Sequence, residues 1–428
     1  MRTLLRNIFI ALLAALARGI VRKYQPKVVM ITGSVGKTST KDAVAAALSE
    51  KFFVRKNEKS FNSGFGVPFT IIGVKNPWTN LFAWMSVFGE GILVLLFPNH
   101  YPKLLVLEVG AEQPGDLAQI LKMVKPDAVV VTLLPSVPVH VEAYETPEAV
   151  REEEFEPARA LVPEAPLIIS ADDPHALTQA SHTETEVYTF GYAEGSMVRI
   201  TDIGITREEG VPQGMEAQLE IEGKRYNLKV AGAFGRSQLY APAAAVAAAL
   251  SLGMSVKEAL TGLENYVPPP GRGRLLKGKK NSVLIDDSYN SSPAAVEESL
   301  RSLTLLDPKK RKVAILGDML ELGRYSMAEH IRIGHIAKEM VDVLITVGAR
   351  AQAIGETARE DGMPDERVQH FASSKEAAHA IEGVLEEEDL VLVKGSQSIR
   401  LERVLKVLIK DFADQKQLVR QEKEWNRR

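Results

Sequence analysis

The 428-residue chain contains no cysteine. Disulfides, thiolate nucleophiles and zinc–sulfur sites are therefore excluded, and the absence fits a reducing, cytoplasmic setting. Excess charge of one sign is lacking too. With 52 Lys and Arg against 55 Asp and Glu, the formal net charge is −3, so nothing drives a global attachment to nucleic acid. Long apolar runs are also missing. The run from Ile8 to Ala17 falls short of the roughly 18 residues a spanning helix needs. Arg2 and Arg6 before it suggest a secretory leader. Cleavage after the run would leave almost nothing ahead of the strand that enters a glycine turn at Gly33, so secretion is not expected.

A second apolar stretch, Leu81 to Phe97, is broken by Gly89-Glu90-Gly91. Two readings remain open for residues 4–21 and 81–97. They form helices that cover each other or the domain, or they form a patch on a membrane surface, with Arg18, Arg22 and Lys23 facing lipid phosphates. The expected location is cytoplasmic, with the inner face of the plasma membrane as the second option.

The length suits two or three domains, and the periodicity is α/β. Continuous apolar runs at 27–32, 104–109, 128–133 and 167–170 predict strands buried on both faces of a parallel sheet. Helical patterns lie between them, at 37–50 and 115–124. Alternating segments over 186–231 predict a small β subregion. The stretch VPPPGRGR at 267–274 marks a boundary, after which strands at 283–286, 312–316, 342–347 and 390–394 begin a second α/β alternation. The expected organisation is an apolar, basic N-terminal helix (1–26), a P-loop-type ATPase domain (27–266), a Rossmann-like α/β domain (267–410) and a charged, solvated C-terminal helix (411–428).

The segment VVMITGSVGKTSTKDAV, residues 28–44, carries the strongest chemistry. A β-branched strand enters a glycine turn and a helix follows. Backbone N–H groups of such a turn point at anionic oxygens. Lys37 can neutralise β- and γ-phosphate charge, and the Thr38 hydroxyl can hold Mg²⁺. Gly33 lies only three residues before Gly36, a shortened form of the general pattern. Glu108 ends a strand ahead of Gly110, and His140 and Glu142 follow another strand of the same sheet. Carboxylates, a hydroxyl and phosphates suit a hard cation such as Mg²⁺.

TGSVGKTS, FNSGFGVPFTI, VLEVGA, ADDP, PGRGR, IDDSYNSSP, ILGDMLELG and VKGSQSIRLE occur in this order. Together they resemble the Mur ligase superfamily over about residues 27–410, and within it the D-alanyl-D-alanine-adding family. GDMLELG, followed by Ser326 and His330, discriminates best. The resemblance implies ATP-dependent amide-bond synthesis: a peptide-stem carboxylate takes the γ-phosphate, and the amine of D-Ala-D-Ala displaces phosphate from the acyl phosphate. It implies that Gly33, Ser34, Val35, Gly36, Lys37, Thr38 and Ser39 hold ATP, with Thr38 and Glu108 on one Mg²⁺ and His140 at a second. Arg272 would reach the γ-phosphate, and Asp287, with Tyr289 and Asn290 nearby, would come to the nucleotide from the C-terminal domain. Lys394, Ser396 and Arg400 would lie on a substrate-facing loop.

Four positions depart from the family's pattern. Only about 26 residues precede the first strand, where a UDP-gripping domain is usual, so the acceptor is a UDP-linked or a lipid-linked muramyl tripeptide. Many members carry a carbamylated lysine about fourteen residues after the histidine; here that position is Glu154, which can present anionic oxygens on a shorter arm. Gly64 replaces a usual glutamate. In Gly235-Arg236-Ser237-Gln238-Leu239-Tyr240-Ala241 the usual histidine and the adenine-facing asparagine are absent, leaving Gln238 to compensate. The rival from outside the enzymes is a non-catalytic ATP-binding scaffold at the membrane.

Overall fold

The computed structural model describes residues 2–58, 62–77, 81–307, 309–421 and 425. Fifteen strands form two sheets. The first contains β1 (Lys27–Thr32), β2 (Val54–Lys56), β3 (Leu104–Glu108), β4 (Ala128–Val131), β5 (Pro166–Ser170), β6 (Glu186–Gly191), β7 (Val198–Glu208), β8 (Val211–Ile221) and β9 (Lys224–Ala231). The second contains β10 (Arg274–Lys277), β11 (Val283–Asp287), β12 (Lys312–Gly317), β13 (Val343–Val347), β14 (Val368–Phe371) and β15 (Leu390–Lys394).

The first sheet runs β2-β3-β1-β4-β5-β6-β7-β8-β9. It is parallel from β2 to β7, and β7, β8 and β9 pair antiparallel. The expected β subregion over 186–231 is present as β6 and a three-stranded meander that lengthens the parallel sheet. Both faces of the parallel strands are covered, which is why β1, β3 and β4 read as unbroken apolar runs. β1 has β3 on one side and β4 on the other, so the chain reverses direction across the sheet there. The carboxyl ends of these three strands face the crevice where ligands of such sheets bind.

One sheet face is covered by α2 (Lys37–Leu48), which packs on the alanine-rich helix Ser237–Ser251. The other is covered by α1 (Arg2–Tyr24), α3 (Gly66–Ile72) and α4 (Leu81–Leu96). Leu13, Ala17 and Ile20 of α1 join Val28 and Met30 of β1 and Leu105 and Leu107 of β3 in one buried cluster. The helices therefore cover the domain, as one of the two readings expected. In those segments the side chains of 4–8 and 81 lie outside the described residues.

The second sheet runs β10-β11-β15-β12-β13-β14, with only β10 antiparallel. The linker before it turns at Gly271 and Gly273, whose φ of 68° and 69° lie in the left-handed region. The expected helix over 411–428 is not formed over 411–421. Phe412–Gln417 is a short 3₁₀ turn, and Leu418, Val419 and Arg420 are buried rather than solvated. The charges do not line a helix face because Arg420 is used inward, on Glu402 at 2.9 Å and on the carbonyls of Ser288 and Tyr289. Residues 422–424 and 426–428 of that expected helix lie outside the described residues.

Candidate active site

The phosphate loop is fixed by its neighbours. Ser34 N–H donates to Leu133 O at 2.9 Å, and Val35 and Leu133 form an isolated antiparallel bridge. Gly33 has φ 107°, and a Cβ there would sit 2.4 Å from Thr132 Oγ1. Gly36, at φ 93°, precedes the first turn of α2, which begins with Lys37, Thr38 and Ser39. The first N–H groups of a helix have no intrahelical acceptor and attract anions. Lys37 Nζ folds back onto Gly33 O and, at 3.4 Å, Ser34 O. Its charge thus lies over the concave side of the loop.

Beneath the loop sits a buried polar cluster. Thr38 Oγ1 donates to Glu108 Oε1 at 3.2 Å, and Asn62 Nδ2 donates to the same oxygen at 3.4 Å. Lys41 Nζ lies 3.9 Å from Glu108 Oε2. Asn57 pins the strand end, its Oδ1 accepting from Glu108 N–H at 2.6 Å, while its own carbonyl accepts from Lys41. Burial pushes the Glu108 carboxyl above its ordinary value, against the pull of Lys41, Lys37 and Arg272. Lys41, Asn57 and Asn62 were not anticipated from sequence. Lys41 carried a usable signal: it lies three residues after Thr38, on the same face of a helix whose remaining face is alanine-rich.

Glu154 comes from the helix Pro147–Arg159, which starts at a Thr146 N-cap with Pro147 in its first turn. Thr32 Oγ1 donates to Glu154 O at 2.6 Å, which ties this helix to the end of β1. The carboxylate is 2% exposed, accepts from Ser34 Oγ at 2.5 Å and lies 4.0 Å from Lys37 Nζ. Burial again raises its pKa, partly offset by Lys37, Ser34 and His140. Glu154 is thus at the phosphate loop. His140, at φ 67°, is turned to the C-terminal domain, with Nδ1 2.9 Å from Glu321 Oε2. The structure brings Glu154, Ser34 and Lys37 together, and Thr38 with Glu108, but it gives His140 a carboxylate partner that the sequence did not suggest.

That partner lies in GDMLELG. The loop is held by Asp318, which accepts from Arg350 and Ala351 N–H, by His330, whose Nε2 accepts from Met319 N–H at 3.0 Å, and by Ser396, whose Oγ accepts from Leu320 N–H at 2.9 Å. His330 and Ser396 are therefore loop supports. Arg324 reaches Glu145 O at 3.0 Å, a further bond between the domains. Arg272 lies over the Tyr289 ring at 4.3 Å and is close enough to act on Glu108. Asp287 pairs with Lys394 at 2.7 Å and accepts from Ser299 Oγ, and Asn290 O accepts from Lys394 at 3.2 Å. Arg400 pairs with Glu402.

A family model described as the Mur ligase middle domain matches residues 31–249, and one described as Mur ligase, glutamate ligase domain, matches 271–397. The first alone spans half of the chain. The chain belongs to the Mur ligase family. Curated relatives include the UDP-N-acetylmuramoyl-tripeptide--D-alanyl-D-alanine ligases of Bacillus subtilis (strain 168) and Escherichia coli (strain K12). The first is 27% identical over 93% of this chain and 79% of the relative; the second is 28% identical over 91% and 78%. A crystal structure of MurF ligase from Thermotoga maritima in complex with ADP superposes with a TM-score of 0.76 at 26% identity, covering 95% of this chain and 84% of that one. Like the rest of its family, this Mur ligase is an ATP-dependent ligase.

Mur ligase chemistry implies a divalent cation, and the residues at the loop fit one. Among the described residues no three or more His, Asp or Glu form a closed cage. Mg²⁺ does not need one: it takes one or two carboxylates and completes its shell with phosphate oxygens and water. Glu108 Oε2 is buried without a hydrogen-bond partner. Lys41 Nζ, at 3.9 Å, supplies charge but lies beyond hydrogen-bond reach, so the oxygen keeps an acceptor position that a hard cation beside the Thr38 hydroxyl would fill. Gln238 Oε1 is also buried and unpartnered, in a small pocket that Asp287 and Gly273 share.

Proposed function

We propose that this Mur ligase joins D-alanyl-D-alanine to the peptide stem of a UDP-linked muramyl tripeptide through an acyl phosphate. The observation that carries the reading is the buried Glu108 carboxylate at the mouth of a phosphate loop, one oxygen bonded by Thr38 and the other without a hydrogen bond. The relatives named above act on that substrate pair.

A stem carboxylate oxygen attacks the γ-phosphorus and ADP leaves. The D-alanyl amine then attacks the acyl carbon, phosphate leaves, and the amine gives up a proton. The first step brings two anions together, so catalysis rests on fixed positive charge. Lys37 lies over the loop for the β- and γ-phosphates, the N–H groups of Gly36 to Ser39 receive phosphate oxygens, and Arg272 approaches from the linker. Thr38 and Glu108 would hold Mg²⁺, which offsets phosphate charge when bound. Glu154 takes the place of a carbamylated lysine: it presents a carboxylate to Ser34 and Lys37 from a glutamate arm. Gln238 Oε1 provides an acceptor for the adenine amine. Asp287, held by Lys394, faces the nucleotide from the C-terminal domain, with Tyr289 and Asn290 beside it.

The test is phosphate release by the purified chain with ATP, Mg²⁺, D-Ala-D-Ala and UDP-linked muramyl tripeptide, omitting each in turn. Release that needs all four, with a pentapeptide product by mass, is expected. Release only with a lipid-linked tripeptide in liposomes would replace the acceptor, and ATP binding without turnover in either format would refute the assignment.

A further inference from the structure

α4 is predominantly apolar, and among the described residues one side of it is covered. Its inner stripe packs on α1 and α3: Trp84 and Phe88 lie 5.2 and 5.5 Å from the Phe9 ring, and a Cβ at Gly91 would touch Leu16 at 3.0 Å. The outer stripe is exposed. Phe82, Met85, Leu93, Leu96 and Phe97 are 81%, 66%, 55%, 68% and 59% exposed; helical spacing places them on one face, as one group at each end of α4. The polar groups among them are Ser86 and Glu90, which bond to each other at 3.2 Å. Large apolar side chains clustered on an exposed helix face mark an interaction surface.

The charge beside this stripe points to its occupant. Residues 1–27 hold six Lys and Arg and no Asp or Glu, in a chain whose net charge is −3. α1 and α4 run side by side in the same direction, with Gly19 against Leu95 and Lys23 Nζ on the carbonyls of Val94, Leu95 and Phe97. That lysine caps the C-terminus of α4. It also sets exposed Arg22, with Arg18 one turn before it, at the Leu96–Phe97 end of the stripe. No helix among the described residues is long and apolar enough to cross a membrane. α4, about 24 Å long at 1.5 Å per residue, is suited to lie along a surface instead.

We propose that this face docks on an anionic lipid bilayer, with the α4 stripe at the acyl boundary and Arg18 and Arg22 against headgroup phosphates. A second copy of the chain fits the surface less well, because a symmetric contact would bring two basic α1 helices together. The surface stands apart from the acceptor assigned above and is tested without substrate.

The full chain is floated with vesicles of phosphatidylglycerol and phosphatidylcholine, or of phosphatidylcholine alone, at low and high salt. Binding to the anionic vesicles is expected, at least tenfold stronger than to the neutral ones and weakened by salt. Phe82→Ser/Leu93→Ser should lower partitioning at least tenfold. Arg18→Gln/Arg22→Gln should bring anionic binding close to the neutral level. Both variants change exposed or half-exposed positions and should keep the parent's urea midpoint. If that midpoint falls, Leu96→Ser alone is the control and should weaken binding severalfold. Absence of binding to anionic vesicles would overturn the proposal, as would a dimer in sedimentation velocity that Phe82→Ser/Leu93→Ser dissociates.

Discussion

Replacing Lys41 with methionine should destabilise the central domain in a pH-dependent way. Lys41 is 1% exposed. Its Nζ lies 3.3 Å from Asp42, 3.9 Å from Glu108 Oε2 and 2.9 Å from Asn57 O. Asp42 keeps a partner in the variant, Lys56 at 2.5 Å. Glu108 loses the largest of the charges that hold its pKa down. At 3.9 Å and an effective dielectric near 20, that attraction is about 4 kcal/mol. Breaking one side of a buried pair costs about 3–5 kcal/mol, which agrees. Protonation can relieve the cost. Burial already raises the Glu108 pKa in the folded state, and without Lys41 it rises further. A carboxyl raised on folding contributes stability that is present below its unfolded pKa, about 4.3, and lost as the pH climbs through the folded value. Lys41→Met should therefore lose little near pH 5 and most of the full amount at pH 8, read as urea midpoints of the central domain. Adding Glu108→Gln should restore at least half of the loss at pH 8. An equal loss at both pH values, or a double variant no better than Lys41→Met, would refute the argument.

Lys37→Ala should abolish ATP-dependent phosphate release while the far-UV circular dichroism of the folded protein is kept, with some stability lost because buried Glu154 gives up its cation; retained turnover would remove Lys37 from the phosphate site. Gly33→Ala puts a Cβ 2.4 Å from Thr132 Oγ1 at a φ of 107°. It should cost about 1–3 kcal/mol and weaken ATP binding in calorimetry, and unchanged affinity would show that the loop tolerates the shift. Glu154→Gln should slow turnover mainly at limiting Mg²⁺; a full rate there would end its role as a carboxylate substitute. Arg420→Met leaves the carbonyls of Ser288 and Tyr289 without their donor and removes one of the two cations on Glu402. It should raise KM for ATP more than it lowers kcat, because Tyr289 lies under Arg272, and an unchanged KM would make the tail a purely structural strap.

Much of the fold and part of the site could be read along the chain, for a shared reason. β1, β3, β4 and β15 are continuous apolar runs because both faces of each parallel sheet are covered. The turn at Gly33 to Gly36 needs glycine at both positive-φ positions, so strand, turn and helix were visible together. Glu108 was legible because a carboxylate ending an apolar strand stands out locally. The β7–β9 meander was harder to place. Alternation showed strands, but nothing in the segment says that β7 pairs parallel to β6 and so joins the same sheet.

The residues that were missed are those whose meaning lies in a distant partner. Glu321 pairs with His140 across about 180 positions, and nothing near either residue announces the other. Both have left-handed backbones, at φ 64° and 67°, a conformation unfavourable for non-glycine residues that persists where surrounding contacts over-determine it. A Cβ at Gly323 would lie 3.0 Å from the Glu142 side chain, so the two loops meet at contact distance. Arg420 behaves in the same way. In sequence it belongs to a charged tail that composition alone assigns to solvent, yet Glu402 and two carbonyls beside Tyr289 take it inside. Charge in a polar run was thus a poor guide to exposure wherever the fold supplied buried acceptors. The same reasoning cuts the other way at α4, where apolar residues that composition would place inside stay exposed.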